Sequence, residues 1–443
     1  MPPESPTRRE PALITGLGAV TPLGIGIPAF TDSLRHARSG IRPLPFAQQG
    51  MLSNVAAVCH DFDPAAVLPA ADLKRLPRVV FMALAAAREA LEAADLTDEE
   101  GAVAPQLANR LGLVLGTGGG GIDFTLAQAA AAERGERPSM WSLTNATHGN
   151  LAGELSIHLG IRGPSLCLST GCASASDAAG YALEQLRGDR PGAPDAWVVV
   201  GADAHIDPWV LKSMELLKVI STRDFTADPA SAHAASRPFD ATRDGFVLGE
   251  GAWALIIERP RFAAAREAPH PVGRLLGYAA TCDAYHRVRP APDMAESARA
   301  MRLALEDAST NPADVSLIHY HGTATELNDA AETEAVKTVF GPHARNLVGC
   351  SVKGAIGHPQ GASGAAALVA TLAAAADDEP FAVPTLNLNR PDPACDLDYT
   401  PNRSKPLGRS TPYRALVNCL AFGAKNSALI AETRDHRRDQ PSA

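Results

Sequence analysis

The feature of this sequence that most constrains its fold is an alternation between short apolar runs and longer alanine-rich stretches. Apolar runs at residues 12–20, 110–118 and 195–204 have the length and β-branched content of buried strands. The stretch at residues 78–96 repeats its apolar residues at helical spacing. Alternating strands and helices predict an α/β fold with a largely buried sheet.

A similar order begins again after residue 260, with strand-like and helix-like stretches in the same sequence. We interpret the two series as diverged pseudo-repeats, although a single α/β domain without symmetry would also alternate in this way. The predicted organisation is a tail at residues 1–11, a first half at 12–260, a second half at 261–433 and a tail at 434–443.

Charge and cysteine content exclude several classes of protein. The net charge of −9 and the absence of any basic block argue against nucleic-acid binding. No apolar run is long enough for a membrane span and the first residues lack a signal core, so we expect a cytoplasmic protein without a membrane partner. Seven cysteines without a CxxC pair predict neither a disulfide framework nor a zinc site.

Cys172 is the first candidate for chemistry. It follows the apolar run 163–168 and precedes a helix whose stripe of Ala175, Ala179 and Leu183 would face a core. Unpaired N–H groups at a helix start favour a thiolate, the reactive form of cysteine. Small neighbouring residues would admit a substrate. A buried, structural cysteine is the competing interpretation.

The second half places further reactive groups at corresponding positions. His321 follows the strand-like run 315–318, and Lys353 and His358 lie in a glycine-rich turn before another alanine-rich helix. Ligands of α/β sheets bind at the carboxyl ends of the strands. We therefore expect these side chains to contribute to one site together with Cys172.

These residues lie within longer motifs: GPSLCLSTGCASASDAAGYA, HGTATELNDAAETEAV, SVKGAIGH and NCLAFGAKN. In this order the motifs resemble β-ketoacyl-acyl carrier protein synthases of the elongating type, and the type II polyketide ketosynthases most of all. The resemblance implies a thiolase-like fold of two pseudo-repeated halves in α-β-α-β-α layers. It also implies decarboxylative Claisen condensation of an acyl thioester with malonyl-acyl carrier protein, in polyketide or fatty-acid biosynthesis.

The resemblance also implies roles for individual residues. Cys172 matches the nucleophile, His321 and His358 match the donors that stabilise the enolate, and Lys353 matches a lysine that orders them. The remaining matches are the oxyanion-hole N–H groups of Cys172 and Phe422, the gating ring of Phe422, the pantetheine-binding Thr323 and Thr325, the supporting Asp329 and Glu332, and a loop motif with Asp283 and His286.

For such an enzyme we expect no metal and no cofactor bound by the protein, because the substrates are carried on the phosphopantetheine of acyl carrier protein. The expected partners are acyl carrier protein, docked on a local positive patch, and a second subunit in a homodimer or in a heterodimer with a related ketosynthase-like chain. The glycine run at 116–121 lacks a dinucleotide-binding spacing and is interpreted as a tight loop over the site or a dimer contact.

The sequence departs from the family pattern at several positions, namely Glu326, Ala367, Ala421, Ala424 and Lys425. Ala367 replaces a usual glutamate, and Ala421 and Ala424 replace glycines, which puts the mobility of the gate in doubt. Three alternatives stay open: an acyltransferase that does not condense, a noncatalytic partner subunit, and a thiolase with Cys419 as its second cysteine. We expect Cys419 to be a core residue.

Overall fold

The computed structural model describes residues 9–44, 50–99, 101–409 and 412–436. Most of the two predicted tails, residues 1–8 and 437–443, lies outside these ranges. The boundary placed between residues 260 and 261 stays a prediction. The strand-like and helix-like stretches of both halves form strands and helices.

The strands alternate with the helices along the chain. The strands are β1 (Ala12–Thr21), β2 (Gly24–Ile25), β3 (Ile41–Pro43), β4 (Val55–Ala57), β5 (Leu111–Gly116), β6 (Ser165–Leu168), β7 (Ala196–Asp203), β8 (Gly251–Glu258), β9 (Gly273–Cys282), β10 (Val315–His319), β11 (Val348–Cys350), β12 (Phe381–Ala382), β13 (Lys405–Pro406), β14 (Arg414–Ala421) and β15 (Lys425–Thr433). The helices are α1 (Ile27–Arg35), α2 (Arg78–Ala93), α3 (Ile122–Glu133), α4 (Ser142–Ala146), α5 (His148–Leu159), α6 (Ser174–Arg187), α7 (Pro208–Leu216), α8 (Pro260–Ala265), α9 (Ala295–Asp307), α10 (Glu326–Phe340), α11 (Lys353–Ile356) and α12 (Ser363–Ala376).

The main sheet contains the same strand arrangement twice. The first block has the order β6-β5-β7-β8-β1 and the second has the order β11-β10-β14-β15-β9. In the first block β6, β5 and β7 are parallel, and β8 is antiparallel to β7 and β1. In the second block β11, β10 and β14 are parallel, and β15 is antiparallel to β14 and β9. The blocks join where β1 pairs antiparallel with β9. This repeated order confirms the predicted pseudo-repeats.

The helices form layers around these blocks. The helices α6 and α12 contact each other and strands of both blocks, so they form the central layer. On the outer faces, α2 covers the first block and α9 covers the second. The core residues divide in the same way, into a central cluster and one cluster beneath each outer layer. This is the layered α-β-α-β-α arrangement of the thiolase-like fold.

The sequence of α12 explains its central position. Its residues from Ser363 to Ala375 are all buried, as expected for a helix that is apolar on every side. Small residues let the central helices approach closely, since a Cβ on Gly364 would lie 2.0 Å from the Ser176 hydroxyl oxygen. None of the helices in the described ranges combines the length and apolarity that a membrane crossing requires.

Candidate active site

Cys172 lies in a 3-10 turn, Gly171–Ala173, between the end of β6 and the start of α6. Its side chain is 3% exposed. The backbone N–H of Phe422 is close enough to the thiol to lower its pKa, and the thiol faces Oε1 of Gln360 at 3.7 Å. Gly171 has φ +67°, and a Cβ there would lie 3.3 Å from the Phe422 carbonyl oxygen. The structure therefore brings Cys172 and Phe422 together, as the sequence predicted.

His321 and His358 lie next to this thiol. One nitrogen from each ring and the Cys172 sulfur lie within 4.8 Å of one another. The two imidazoles meet edge to face, with 5.4 Å between their centroids. Nδ1 of His358 is 3.0 Å from the Ser363 hydroxyl, which leaves Nε2 for the substrate. The three groups that the sequence places at strand ends thus converge on one point.

Burial sets the protonation of these groups. It lowers the pKa of His321 and of His358 well below the usual range, and the Lys353 ammonium lowers both further. Burial also raises the pKa of Cys172 to about 12, although Lys353 and the Phe422 N–H oppose it. The expected thiolate at the helix start is thus outweighed by desolvation. The resting site therefore holds a thiol beside two neutral imidazoles.

Lys353 is buried at the first position of α11. Its ammonium donates a 2.6 Å hydrogen bond to the backbone carbonyl of His321. Burial lowers the pKa of Lys353, while the nearby thiols of Cys419 and Cys172 and the carboxyl of Glu332 oppose that shift. Lys353 therefore fixes the backbone that carries one histidine.

Glu332 and Asp329 project from α10 and hold the loop that follows β10. The Glu332 carboxylate accepts hydrogen bonds from the N–H of His321 at 2.7 Å and the side-chain amide of Asn418 at 2.7 Å. Asp329 accepts from the N–H of Thr323 at 3.0 Å. Burial raises the pKa of Glu332 to about 7. Both carboxyls occupy the supporting positions that the resemblance implied.

A cavity of about 600 Å³ leads to the reactive groups, and we call it the access cavity. Thr323 and Thr325 line it, and their hydroxyl oxygens lie 3.0 Å apart. The cavity is also lined by Cys172, His321, His358, Phe422, Asp283, His286, Glu326 and Lys425. Both threonines therefore lie on the wall of the cavity that reaches Cys172.

The gate loop after β14 is fastened to the segment that carries Asp283. The N–H of Gly423 donates to the Arg287 carbonyl at 2.8 Å, and the N–H of Asp283 donates to the Ala424 carbonyl at 2.7 Å. Asn426 donates its side-chain N–H to the Asp283 carboxylate at 2.7 Å. Ala424 has φ +62°, a conformation that favours glycine, so this departure strains the loop in its present position.

The other residues that depart from the family pattern differ in their burial. Ala367 is buried on α12, and its carbonyl accepts the Thr371 hydroxyl. Glu326 and Lys425 instead place charges on the wall of the access cavity. Cys419 is buried on β14, as predicted for a core residue, although it lies close enough to Lys353 for the two to interact.

Sequence analysis did not identify Asp203, which ends β7 and is fully buried. Its carboxylate accepts hydrogen bonds from the N–H groups of Gly118 at 2.9 Å and Gly361 at 2.6 Å, and from the Thr117 hydroxyl at 2.7 Å. It also lies 3.4 Å from Nδ1 of His205. The glycine run 116–121 is thus tied to the turn that follows His358. The available signal was an acidic residue directly after a buried strand.

The donor set of Cys172, His321 and His358 also has the ligand types of a zinc site. The buried ammonium of Lys353 is close enough to both histidines to lower their pKa values, and it would repel a metal cation. The residues present therefore fit proton and thioester chemistry better than metal binding.

Comparison with known families agrees with the geometry. The model described as "Beta-ketoacyl synthase, N-terminal domain" matches residues 9–263, and "Beta-ketoacyl synthase, C-terminal domain" matches residues 272–389. These two matches cover most of the chain and include Cys172, His321, Lys353 and His358.

Individual relatives extend over nearly the whole chain. A 3-oxoacyl-[acyl-carrier-protein] synthase 2 of Synechocystis sp. is 36% identical, over 95% of this chain and 97% of that protein. A putative polyketide beta-ketoacyl synthase 1 of Streptomyces cyaneus is 37% identical, over 94% of this chain and 95% of that protein.

A solved type II polyketide synthase acyl-carrier protein in complex with its ketosynthase, bound to the hexaketide, has TM-score 0.84 and 28% identity over 96% of this chain and 100% of that one. The ishigamide ketosynthase/chain length factor has TM-score 0.83 and 30% identity, over 96% of this chain and 99% of that one. This chain belongs to the beta-ketoacyl synthase family and is an acyltransferase with its condensing activity, in fatty-acid or polyketide biosynthesis.

Proposed function

We propose that Cys172, His321 and His358 carry out the condensation, with Cys172 holding the acyl group and the histidines acting on the malonyl group. The observation that carries this proposal is the convergence of one thiol and two neutral imidazoles within 4.8 Å at the end of the access cavity. Lys353, Asp329 and Glu332 act by holding the backbone on which His321 is placed.

In the first step the thiol proton of Cys172 passes to a neutral imidazole, and the sulfur attacks the carbonyl carbon of the incoming acyl thioester. The backbone N–H groups of Cys172 and Phe422 donate to the resulting oxyanion. The bond to the pantetheine sulfur then breaks, and that sulfur leaves with the proton. The product is an S-acylated Cys172 and a free carrier thiol.

In the second step a malonyl thioester binds with its carbonyl oxygen near the two imidazoles. The bond between its carboxylate and the α-carbon breaks, CO2 leaves, and the electron pair forms an enolate that His321 and His358 stabilise by N–H donation. The α-carbon attacks the acyl carbonyl, and the Cys172 sulfur leaves as a thiolate. It takes a proton from solvent, because the original thiol proton left with the pantetheine sulfur in the first step. This role requires imidazoles that are neutral at pH 7, and their burial provides this.

The access cavity is proposed to hold the phosphopantetheine arm, with Thr323 and Thr325 donating to its amides. Lys218 and Arg289 are exposed and line the mouth of this cavity, so we propose them as contacts for the acidic acyl carrier protein. No cofactor held by the protein enters the scheme.

A dimer partner is proposed at the free edge of β6. This strand ends the first block, and its residues Leu166, Cys167 and Leu168 are only half-buried although they are apolar. Pairing with a second subunit would cover them. We propose a homodimer, or a heterodimer with a related ketosynthase-like chain. The relatives include both 3-oxoacyl-[acyl-carrier-protein] synthases and polyketide ketosynthases, so the proposal covers fatty-acid and polyketide synthesis alike. A cytoplasmic location is also part of the proposal.

The test incubates the purified protein with an acyl-carrier thioester and malonyl-acyl carrier protein, and follows acylation of Cys172 and release of CO2 by mass spectrometry. Acylation, CO2 release and a β-ketoacyl product are expected, and a chelator should leave them unchanged. Acylation without decarboxylation would indicate simple acyl transfer. A wild-type protein that is not acylated would indicate a noncatalytic partner subunit.

A further inference from the structure

Gln360 places an uncommitted amide beside the nucleophile. It begins the 3-10 turn Gln360–Ala362, between His358 and α12, and is only 7% exposed. Its Oε1 lies 3.7 Å from the sulfur of Cys172. Its Nε2 is buried and makes no hydrogen bond to any residue in the described ranges. A polar group in this state needs a partner that arrives from outside the chain.

The backbone prevents this amide from turning away to solvent. The N–H of Gly361 donates to the Asp203 carboxylate at 2.6 Å, and a Cβ on Gly361 would lie 2.2 Å from the backbone nitrogen of Gly118. Gln360 itself has φ +45°, a conformation that side chains other than glycine rarely adopt. The hydrogen bond and the close packing at Gly361 thus hold the turn while the backbone of Gln360 is strained. Strained backbone of this kind is typical of functional sites.

The need for a partner becomes greater once Cys172 is acylated. Acylation replaces the thiol hydrogen, so Oε1 of Gln360 loses the only donor it faces among the described residues. A thioester sulfur is a weak acceptor and offers Nε2 little in return. In the acyl-enzyme the whole carboxamide would then be buried without a partner, unless the acyl chain supplies one.

The position of Gln360 indicates which part of the chain it would meet. The lining of the access cavity, as far as the described residues show, includes Cys172 but not Gln360. The pantetheine arm occupies that cavity in the proposed function, so we place the acyl group on the other side of the sulfur, which Gln360 faces. The carbonyl oxygen of the thioester is already assigned to the N–H groups of Cys172 and Phe422. The next oxygen along a chain would lie on its β-carbon.

We propose that Gln360 is a specificity-determining residue that selects acyl groups with an oxygen on the β-carbon. Nε2 donates a hydrogen bond to a β-oxo or β-hydroxyl oxygen of the chain on Cys172. A saturated chain leaves the amide unpaired, and a site that buries a polar group discriminates against a ligand that cannot pair with it. This inference rests on the proposed function and assigns its substrate class, an acyl chain that is not fully reduced.

The test compares acylation of Cys172 by β-oxoacyl and saturated carrier thioesters of equal length. The wild-type protein should favour the β-oxoacyl group in kcat/KM by about 10- to 100-fold. The variant Gln360→Leu, of similar volume, should lose this preference through slower reaction of the β-oxoacyl thioester and equal or faster reaction of the saturated one. The matched control Gln185→Leu, at the far end of α6, should retain the preference.

Two results would overturn the inference while the proposed function stands. One is a wild-type protein that prefers the saturated thioester. The other is an equal loss with both thioesters in Gln360→Leu, which would mean that Gln360 acts only on the thiol. The variant's thermal unfolding is compared with wild type, and if Gln360→Leu does not fold, Gln360→Met serves instead. A wild-type protein that neither thioester acylates would instead refute the proposed function, and the inference with it.

Discussion

The two halves of this molecule share one strand order but carry different chemistry at equivalent strand ends. β6 of the first half leads into Cys172, and the equivalent strand of the second half, β11, leads into Lys353 and His358. β5 leads into the glycine run at Thr117, and its equivalent in the second half, β10, leads into His321. A repeated backbone thus supplies two sets of positions around one point. The first half provides the proposed nucleophile, and the second provides the proposed proton-transfer groups.

Four buried histidines of the two halves also differ in the direction of their pKa shifts. In the first half, burial lowers the pKa of His205, but the carboxylates of Asp203, Asp123 and Glu250 together raise it, so that the net shift is upward. In the second half, burial lowers the pKa of His319, His321 and His358 with no carboxylate to oppose it. Neighbouring carboxylates thus favour protonation of His205, whereas burial without them favours neutral imidazoles at the other three histidines.

The largest expected effect is on acylation, and it comes from removing the Cys172 thiol of the first half. Cys172→Ala should abolish acylation, because no other group can form the thioester, while malonyl decarboxylation persists because it depends on the two histidines. Acyl-enzyme and CO2 are measured separately by mass spectrometry. Cys395→Ala, a buried thiol of the second half, serves as the control. Acylation that survives in Cys172→Ala would contradict the division between the halves.

The next effect concerns the second half. His321→Ala or His358→Ala should each lower the rate of decarboxylation by about 10² to 10³, since each removes one donor to the enolate. Acylation should fall by less, because the remaining neutral imidazole can still accept the thiol proton. The measurement is CO2 release against the rate of acyl-enzyme formation. Equal losses in both steps would show that the histidines are not specific to the malonyl step.

A smaller effect is expected at the link between the halves. Asp203→Asn should lower the free energy of unfolding by about 1–3 kcal/mol. The side-chain N–H of the asparagine would face the backbone N–H groups that donate to the Asp203 carboxylate in the wild type. It should also slow condensation through the turn after His358. Thr117→Val removes only one donor to Asp203, and its cost should be smaller. Urea unfolding measures both variants, and an equal cost would indicate that the backbone donors contribute little.

The effect that is smallest at neutral pH is a difference in pH dependence, which develops only below pH 6.5. His319 is neutral in the fold, with its pKa lowered to about 3 by burial, whereas the unfolded chain protonates it near its ordinary value of 6.5. Protonation therefore favours the unfolded state, and stability falls as the pH drops from 6.5 towards 3. His319→Asn should reduce that fall by about 1.4 kcal/mol per pH unit.

Urea unfolding at several acidic pH values measures this slope. Cys350→Ala removes a neighbour 3.4 Å from His319 without removing an imidazole, and it should leave the slope unchanged. A slope that is the same in His319→Asn and in the wild type would mean that His319 does not take up a proton on unfolding.

The sequence by itself determined the alternation of strands and helices, the duplication and the identities of Cys172, His321, Lys353 and His358. These features are local, because periodicity and motifs are read along the chain. The family resemblance then supplied the reaction. The same local reading predicted a thiolate at the start of a helix. The structure instead favours the thiol, because burial raises the pKa of Cys172.

Only the tertiary structure decided which groups meet at the sulfur. Gln360 and Cys172 are 188 residues apart, and they meet because the central helices α6 and α12 pack against each other across the two halves. Asp203 was missed for the same reason, since its partners come from separate loops of both halves. Desolvation, which sets the pKa values here, depends on what surrounds a group in three dimensions, so no pattern along the chain could have given it.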